Sequence, residues 1–176
     1  MVPEMSQKCP ALSIGPWRPG VIGRITALHS TYYHEHWGFD LSFEIQVAGE
    51  LAAFMDNFDP KRDYFGAAFS GGDFAGAVAV DGKDAQGQGA RLRWFIVDPK
   101  FQGRGLGREL LKEAVSFCDR AGHDKMFLMT FRGLDAARRL YEKAGFTLAE
   151  EEAVGQWGNE IIEQKFTRLR PKGYSP

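Results

Sequence analysis

The sequence predicts an α/β domain of the α+β kind, a mixed β-sheet with helices on both faces. Three observations carry this. Apolar residues recur at helical spacing near the start of the chain. Short apolar runs bounded by turn residues follow. A strand, a glycine-rich turn, an amphipathic helix, a strand and a second helix then alternate before two closing strands. The chain has 176 residues, within the span of a single core.

The elements follow in order. Residues 1–13, with Pro3 and Pro10 and no periodicity, read as a flexible lead-in to one domain over 14–170, and residues 171–176 read as a tail. From Gly20 to Phe58 the spacing of Ile22, Ile25, Leu28 and Tyr32, then of Phe43, Val47, Leu51 and Phe54, predicts two helices broken near Trp37-Gly38. Tyr64–Phe69 and Phe74–Val80 flank Ser70-Gly71-Gly72-Asp73, which predicts a hairpin. Residues 81–89 read as a loop, and Arg91–Val97 as a strand ended by Asp98-Pro99. Leu110, Leu111, Ala114, Val115, Phe117 and Cys118 form one apolar face of a helix over Arg108–Ala121, with Gly122 as its left-handed end. Lys125–Phe131 reads as a strand, Asp135–Ala144 as a helix stopped by Gly145, and Phe146–Glu150 and Ile161–Leu169 as closing strands. No internal repeat and no low-complexity tract interrupts the order.

Composition narrows the function classes. Apolar residues make up 44% and charged residues 26%, with a net charge of −1, the balance of a chain with a real core. No Lys/Arg track offers a phosphate-backbone footprint, so direct nucleic-acid binding is not expected. Cys9 and Cys118 fit reduced thiols better than a disulfide or a metal pair. No basic region followed by an apolar one opens the chain, and no apolar run approaches the roughly 20 residues of a membrane span. The expectation is a soluble, cytoplasmic protein.

Gln102-Gly103-Arg104-Gly105-Leu106-Gly107 follows a strand and opens a helix, where free N–H groups and the helix dipole converge on an anion. Glycines there let the main chain approach a ligand without Cβ atoms in the way. Taken alone, such a turn is equally a flexible or capping loop. A Walker loop requires Lys and then Ser or Thr, whereas Arg108 and Glu109 follow Gly107. A Rossmann fingerprint requires its own glycine spacing and an acidic residue about 20 positions on, and it fits no better. His34-Glu35-His36 suggests metal ligation only superficially, because residues two apart do not share a helix face. No metal is expected.

Leu92–Gly107, LRWFIVDPKFQGRGLG, resembles the strand and Arg/Gln-x-x-Gly-x-Gly/Ala turn of the GNAT acetyltransferases, with Gln102, Gly105 and Gly107 at matching positions. Ala136–Phe146, AARRLYEKAGF, resembles their second signature, in which a helix presents a Tyr toward the cofactor sulfur, and Tyr141 occupies that place. The resemblance runs from about residue 14 to residue 169. It implies the GNAT fold with a splayed central strand pair, acetyl-CoA as co-substrate, and direct acetyl transfer to an amine. It also implies cofactor contacts from Phe95, Ile96, Val97, Gln102, Gly103, Arg104, Gly105, Leu106, Gly107, Arg108, Ala137 and Tyr141, with Tyr141 protonating the departing thiolate. Leu134–Phe166, with Trp157-Gly158 ahead of Glu163-Gln164-Lys165-Phe166, is similar to the acetyltransferase half of bacterial MarR–GNAT fusions, although no winged-helix half is present. Leu134 departs from the common pattern, in which an Asn helps to hold the pantetheine arm.

The base is expected at Glu44, with His29 second, because no acidic residue lies within Arg91–Val97. Tyr33, Trp37, Trp94 and Trp157 either wall an acceptor pocket or pack in the core. The expected partners are acetyl-CoA and a primary amine, and a homodimer is left open. A non-catalytic acetyl-CoA-binding sensor is the competing reading.

Overall fold

The computed structural model describes residues 11–173. Among them the order is β1 (Leu12–Gly15), α1 (Val21–Trp37), α2 (Leu41–Asp56), β2 (Tyr64–Ser70), β3 (Asp73–Asp81) and β4 (Ala90–Val97), then α3 (Leu106–Ala121), β5 (Lys125–Phe131), α4 (Asp135–Lys143), β6 (Thr147–Gln156) and β7 (Asn159–Leu169). The strands form one seven-stranded sheet in the order β1-β2-β3-β4-β5-β7-β6. Only the central β4–β5 pair is parallel; every other pair is antiparallel.

The sheet separates two apolar layers. On one face α3 lays Leu106, Leu110, Leu111, Ala114 and Cys118 against Val78, Leu92, Met126, Leu128 and Phe166. On the other, Val21 and Ile25 of α1 and Leu51 and Phe54 of α2 cover Phe65, Ala67, Phe69, Ala77 and Ala79. The alanines of β2 and β3 occupy both faces, and their small side chains let the helices approach closely. The break between α1 and α2 has local causes: Gly38 ends α1 at φ 69°, and the Asp40 carboxylate accepts from Ser42 N at 2.9 Å to open α2.

The central pair separates. β4 and β5 pair only at Ala90–Met126, Arg91–Phe127 and Leu92–Leu128. Beyond Leu92, the polar groups of β4 that point toward β5 have no ladder partner. On its other edge β4 carries a bulge: Ala79 faces Arg93 and Ala77 faces Ile96, so Trp94 and Phe95 together oppose Val78. Trp94 has φ 45°, a strained conformation for a bulky side chain. The bulge reverses the alternation. Arg93 reaches Glu50 on α2, Trp94 packs on Phe54 of α2, and Phe95 turns to Tyr141 of α4.

A buried ion pair fixes α3 to β7 on the same face of the sheet. Arg168 of β7 meets both oxygens of Asp119 of α3 at 2.8 and 2.9 Å, and its Nε donates to Ala144 O, just past α4, at 3.1 Å.

Two sequence-derived boundaries shift. The first strand begins at Leu12, ahead of the residue-14 boundary drawn for the lead-in; residues 1–10 of that segment, with Cys9, lie outside the described residues, as do 174–176 of the tail. The closing strands are longer than their apolar runs, because Thr147–Gln156 is exposed along most of its length and carries no core-facing alternation. They meet in a two-residue turn at Trp157 (φ 52°) and Gly158 (φ 81°), where both positions take positive φ. Trp157 is an unfavourable residue for that place. Its ring lies 4.9 and 5.0 Å from those of Phe39 and Phe43, and its indole N–H donates to Gln46 at 2.8 Å, so α2 holds the turn.

Candidate active site

Two cavities meet where β4 leaves β5. The larger, about 860 Å³, runs along Phe95–Val97, the Gln102–Arg108 turn, and Gly133–Ala137 and Leu140 at the start of α4. The smaller, about 210 Å³, lies between α1, α2, β4, β5 and the β6–β7 turn, and it includes His29, Glu50, Arg91, Arg93, Tyr141 and Glu163. Tyr33, Phe95, Leu134 and Ala137 line both. That shared wall is the junction.

The larger groove is built from main chain. The first i→i−4 bond of α3 runs from Glu109 N to Gly105 O, and among the described residues no backbone N–H from Gly103 to Arg108 donates to another backbone carbonyl. These free donors, with the positive end of a 16-residue helix behind them, make an anion site. Gly103 and Gly105 sit at φ 75° and 80°. No protein atom lies within 4 Å of the Cβ position at Gly103, and only Arg108 comes close at Gly105. Space is therefore left on the ligand side of the turn.

Gly107 plays a different part. A Cβ there would stand 3.2 Å from Leu140 and 3.5 Å from Phe95, so this glycine admits α4 and β4 against α3. Gln102 Nε2 donates to Val97 O at 3.2 Å, tying the turn to the strand end. Arg104 and Arg108 are exposed.

A second helix start faces the same groove. Leu134 occupies the N-cap position of α4 and supplies no side-chain cap, and the first helical bond is Arg138 N to Leu134 O. The N–H groups of Asp135, Ala136 and Ala137 thus lie at the groove without a capping side chain.

Tyr141 is buried against Phe95, Phe146 and Phe166. No hydrogen bond from its hydroxyl to another group is found among the described residues, and it lines the smaller cavity at the junction. Burial, and secondarily the neighbouring Tyr33, push its pKa up, so the phenol stays protonated and serves as a donor rather than a base.

Of the two expected bases, Glu44 sits apart from both cavities. It follows Phe43, whose side chain faces inward, and helical phase turns Glu44 to solvent. His29 does line the smaller cavity. Its Nδ1–H donates to Ile25 O at 2.8 Å, leaving Nε2 as the acceptor, and burial lowers its pKa to about 4. Two carboxylates that the sequence reading passed over complete the cavity. Glu50 is engaged by Arg93, which also lies 3.5 Å from Asp81. Glu163 accepts from Gln156 Nε2 at 3.2 Å. Glu163 lies within the strand read from Ile161 to Leu169, and the β5–β7 register sets it opposite Phe131, a pairing that no local sequence signal gives. Tyr33, Trp94 and Trp157 line the cavity and also pack in the core.

The remaining reactive side chains are committed elsewhere. His34 Nδ1 donates to Phe39 O and His36 Nδ1 to Tyr32 O, each at 2.8 Å, and the described residues contain no group of three or more His, Cys, Asp or Glu suited to a metal. Cys118 is buried and its thiol is pushed up to about 12.

Residues 23–146 match the family model described as the acetyltransferase (GNAT) family. The chain belongs to that family. It is 32% identical over 125 residues, 67% of its length and 72% of the relative's, to an uncharacterized N-acetyltransferase of Schizosaccharomyces pombe. Among solved structures, the fold matches that of yncA of Salmonella typhimurium, solved with its cofactor acetyl-CoA, at TM-score 0.71 and 16% identity, covering 94% of this chain and 98% of that one. The spermidine N-acetyltransferase of Vibrio cholerae in complex with CoA and spermine aligns at TM-score 0.68 and 17% identity, covering 90% and 95%.

Proposed function

We propose that this GNAT-family protein transfers the acetyl group of acetyl-CoA directly to a primary amine. The observation that carries the reading is the junction itself: a groove of free N–H groups meets a smaller acceptor cavity across a wall shared by Tyr33, Phe95, Leu134 and Ala137, with Tyr141 lining the smaller cavity. The pyrophosphate lies against Gly103–Arg108. The pantetheine arm runs along the unpaired edge of Phe95, Ile96 and Val97 and past Ala137, and Leu134 gives it an apolar contact. Arg104 and Arg108 add exposed positive charge near the phosphates.

The acceptor nitrogen attacks the thioester carbon, a C–N bond forms, and the C–S bond breaks with its electron pair leaving on sulfur. N–H groups on the free edge of β4 polarise the carbonyl, a contribution of a few kcal/mol when well aimed. Tyr141 donates its hydroxyl hydrogen bond to the departing thiolate. Its raised pKa makes full proton transfer unfavourable next to a thiol of ordinary pKa about 8.5, so the hydroxyl stabilises the leaving thiolate by hydrogen bonding, and the thiolate takes its proton from solvent. Glu163 takes the proton released by the amine. It is chosen over Glu50, which is neutralised by Arg93, over His29, which burial makes a weak base, and over Glu44, which stands outside the cavity.

The similarity of Leu134–Phe166 to the acetyltransferase half of MarR–GNAT fusions supports a bacterial-type, cytoplasmic enzyme, and the exposed β6 edge leaves a homodimer open. Among the described residues no helix is long and apolar enough to cross a membrane. Acetyl-CoA titration followed by thermal unfolding, combined with a thiol-release assay over an amine panel, tests the proposal. Acetyl-CoA must raise the unfolding midpoint by mass action, and at least one amine must accelerate CoA release. Binding without release from any amine would leave the sensor reading in place.

A further inference from the structure

Arg91 is the one group among the described residues whose buried side-chain nitrogen lacks a partner: its Nε is sealed from solvent and makes no hydrogen bond. Among the described residues the guanidinium forms no ion pair, and it lies over the face of Phe127, 5.9 Å from the ring centre. It lines the smaller cavity. The contrast with its neighbour is sharp. Arg93, two residues along the same strand and face, is held by Glu50 and Asp81, which are therefore unavailable to Arg91. Burial and the charge of Arg93 both work against the Arg91 cation, while Glu50, Asp81 and Glu163 favour it only through their fields. An arginine does not escape such a position by losing its proton. A buried polar group left unpaired costs about 1–3 kcal/mol, more when charged, and a planar fork of donors matches a carboxylate in two-point fashion.

We propose that Arg91 is a specificity-determining residue that binds the carboxylate of the acceptor, so that the acceptor is a small amino acid rather than a simple amine or a polyamine. The inference rests on the acetyl-transfer reading above and deepens it. Three further features agree. The cavity, about 210 Å³, falls below the roughly 300–1,000 Å³ of drug-sized ligand sites and suits a single amino acid. Arg91 and Glu163 sit in one cavity, where they act on each other's charge without a direct ion pair, an arrangement complementary to a zwitterion whose ammonium faces the carboxylate and whose carboxylate faces the guanidinium. A dianionic phosphate would meet Glu50 and Glu163 in the same small space, and a polyamine would bring its positive charge against Arg91 and Arg93.

Matched pairs that differ only by the carboxylate test the assignment: L-phenylalanine against 2-phenylethylamine, L-methionine against 3-(methylthio)propylamine, and L-lysine against cadaverine. Each is titrated calorimetrically into the protein with and without CoA, and each is assayed for CoA release from acetyl-CoA. For at least one pair the acid member should bind, and be acetylated with a kcat/KM, at least tenfold better than its decarboxylated counterpart. Arg91→Met should erase that preference by weakening the acid member alone, and Arg91→Lys, which keeps the charge in the strand, should retain part of it. No pair favouring the acid, or a preference that survives in Arg91→Met, would overturn the assignment. The acetyl-transfer reading is read separately. If acetyl-CoA raises the unfolding midpoint and amines are acetylated, but no pair favours its acid member in the parent, that reading stands and the carboxylate assignment falls. Acid-selective, Arg91-dependent binding without CoA release would uphold the assignment and count against transfer.

Discussion

The two cavities at the β4–β5 split are built from different materials. The groove along Gly103–Arg108 and the start of α4 is a backbone surface, with free N–H groups, two helix starts and glycines at positive φ. The smaller cavity is a side-chain surface, assembled from α1, α2, β4, β5 and the β6–β7 turn. A backbone surface depends on local sequence alone and suits an invariant ligand such as a pyrophosphate. A side-chain surface depends on which distant residues meet, and can be altered one residue at a time. On the proposed function, the difference separates what holds the cofactor from what selects the acceptor.

The largest expected effect breaks the frame behind the groove. Asp119→Ala strands Arg168 as a buried, unpaired cation, and loss of one partner of such a pair costs about 3–5 kcal/mol. Chemical denaturation should show that loss. Because Arg168 also holds the carbonyl of Ala144 at the end of α4, acetyl-CoA binding should weaken with it. A change below about 1 kcal/mol would mean that the pair is not what fixes α3 and the end of α4 to β7.

Tyr141→Phe probes the junction. The ring keeps its packing on Phe95 and Phe166, so fold and acetyl-CoA affinity should be nearly unchanged, while kcat falls by roughly 10²-fold, as for removal of a positioned donor. Steady-state kinetics with an identified acceptor give the answer. More than about half the parental kcat would return Tyr141 to packing alone.

The smaller cavity has a pH signature. His29 has a folded pKa of about 4 against 6.5 for the free side chain, so between those values the unfolded chain binds a proton that the folded one refuses. Stability from this group is complete above pH 6.5 and is lost as pH falls toward 4, at up to about 1.4 kcal/mol per pH unit. His29→Gln should therefore lie closer to the parent in stability at pH 5 than at pH 7, with the gap narrowing by about 1–2 kcal/mol. Denaturant titrations at the two pH values measure it. A gap that stays constant would mean that His29 is accessible enough to protonate in place.

How much of this was legible in the sequence follows the same division. The hairpin, both glycine-bounded helices and the turn at Gln102–Gly107 are written in contiguous residues, where periodicity and turn chemistry act, and the structure has these elements where the sequence puts them. Gly107 was visible as part of the turn, but its packing against Leu140 required α4 to be in place. Glu44 was expected as the base because α2 was known only as a helix. Which of its faces turned inward depended on the sheet beneath it, and Glu50, not Glu44, reaches the cavity. Arg91 and Glu163 lie 72 positions apart in sequence and share a cavity only through the strand order β4-β5-β7. The bulge at Trp94 left no local signal, since a left-handed Trp runs against its preference and is imposed by the packing around it.

One comparison tests the division of labour most directly: acetyl-CoA titrated into the parent, Gly105→Val and Arg91→Met, each first shown to be folded by circular dichroism. Gly105 sits at φ 80° beside the free N–H groups, so a β-branched side chain strains the turn and fills the ligand side. The expected result is a loss of at least tenfold in acetyl-CoA affinity for Gly105→Val and a change of less than about twofold for Arg91→Met. A folded Gly105→Val protein that binds acetyl-CoA like the parent would contradict the account, because the cofactor would then not be held by the backbone of that turn.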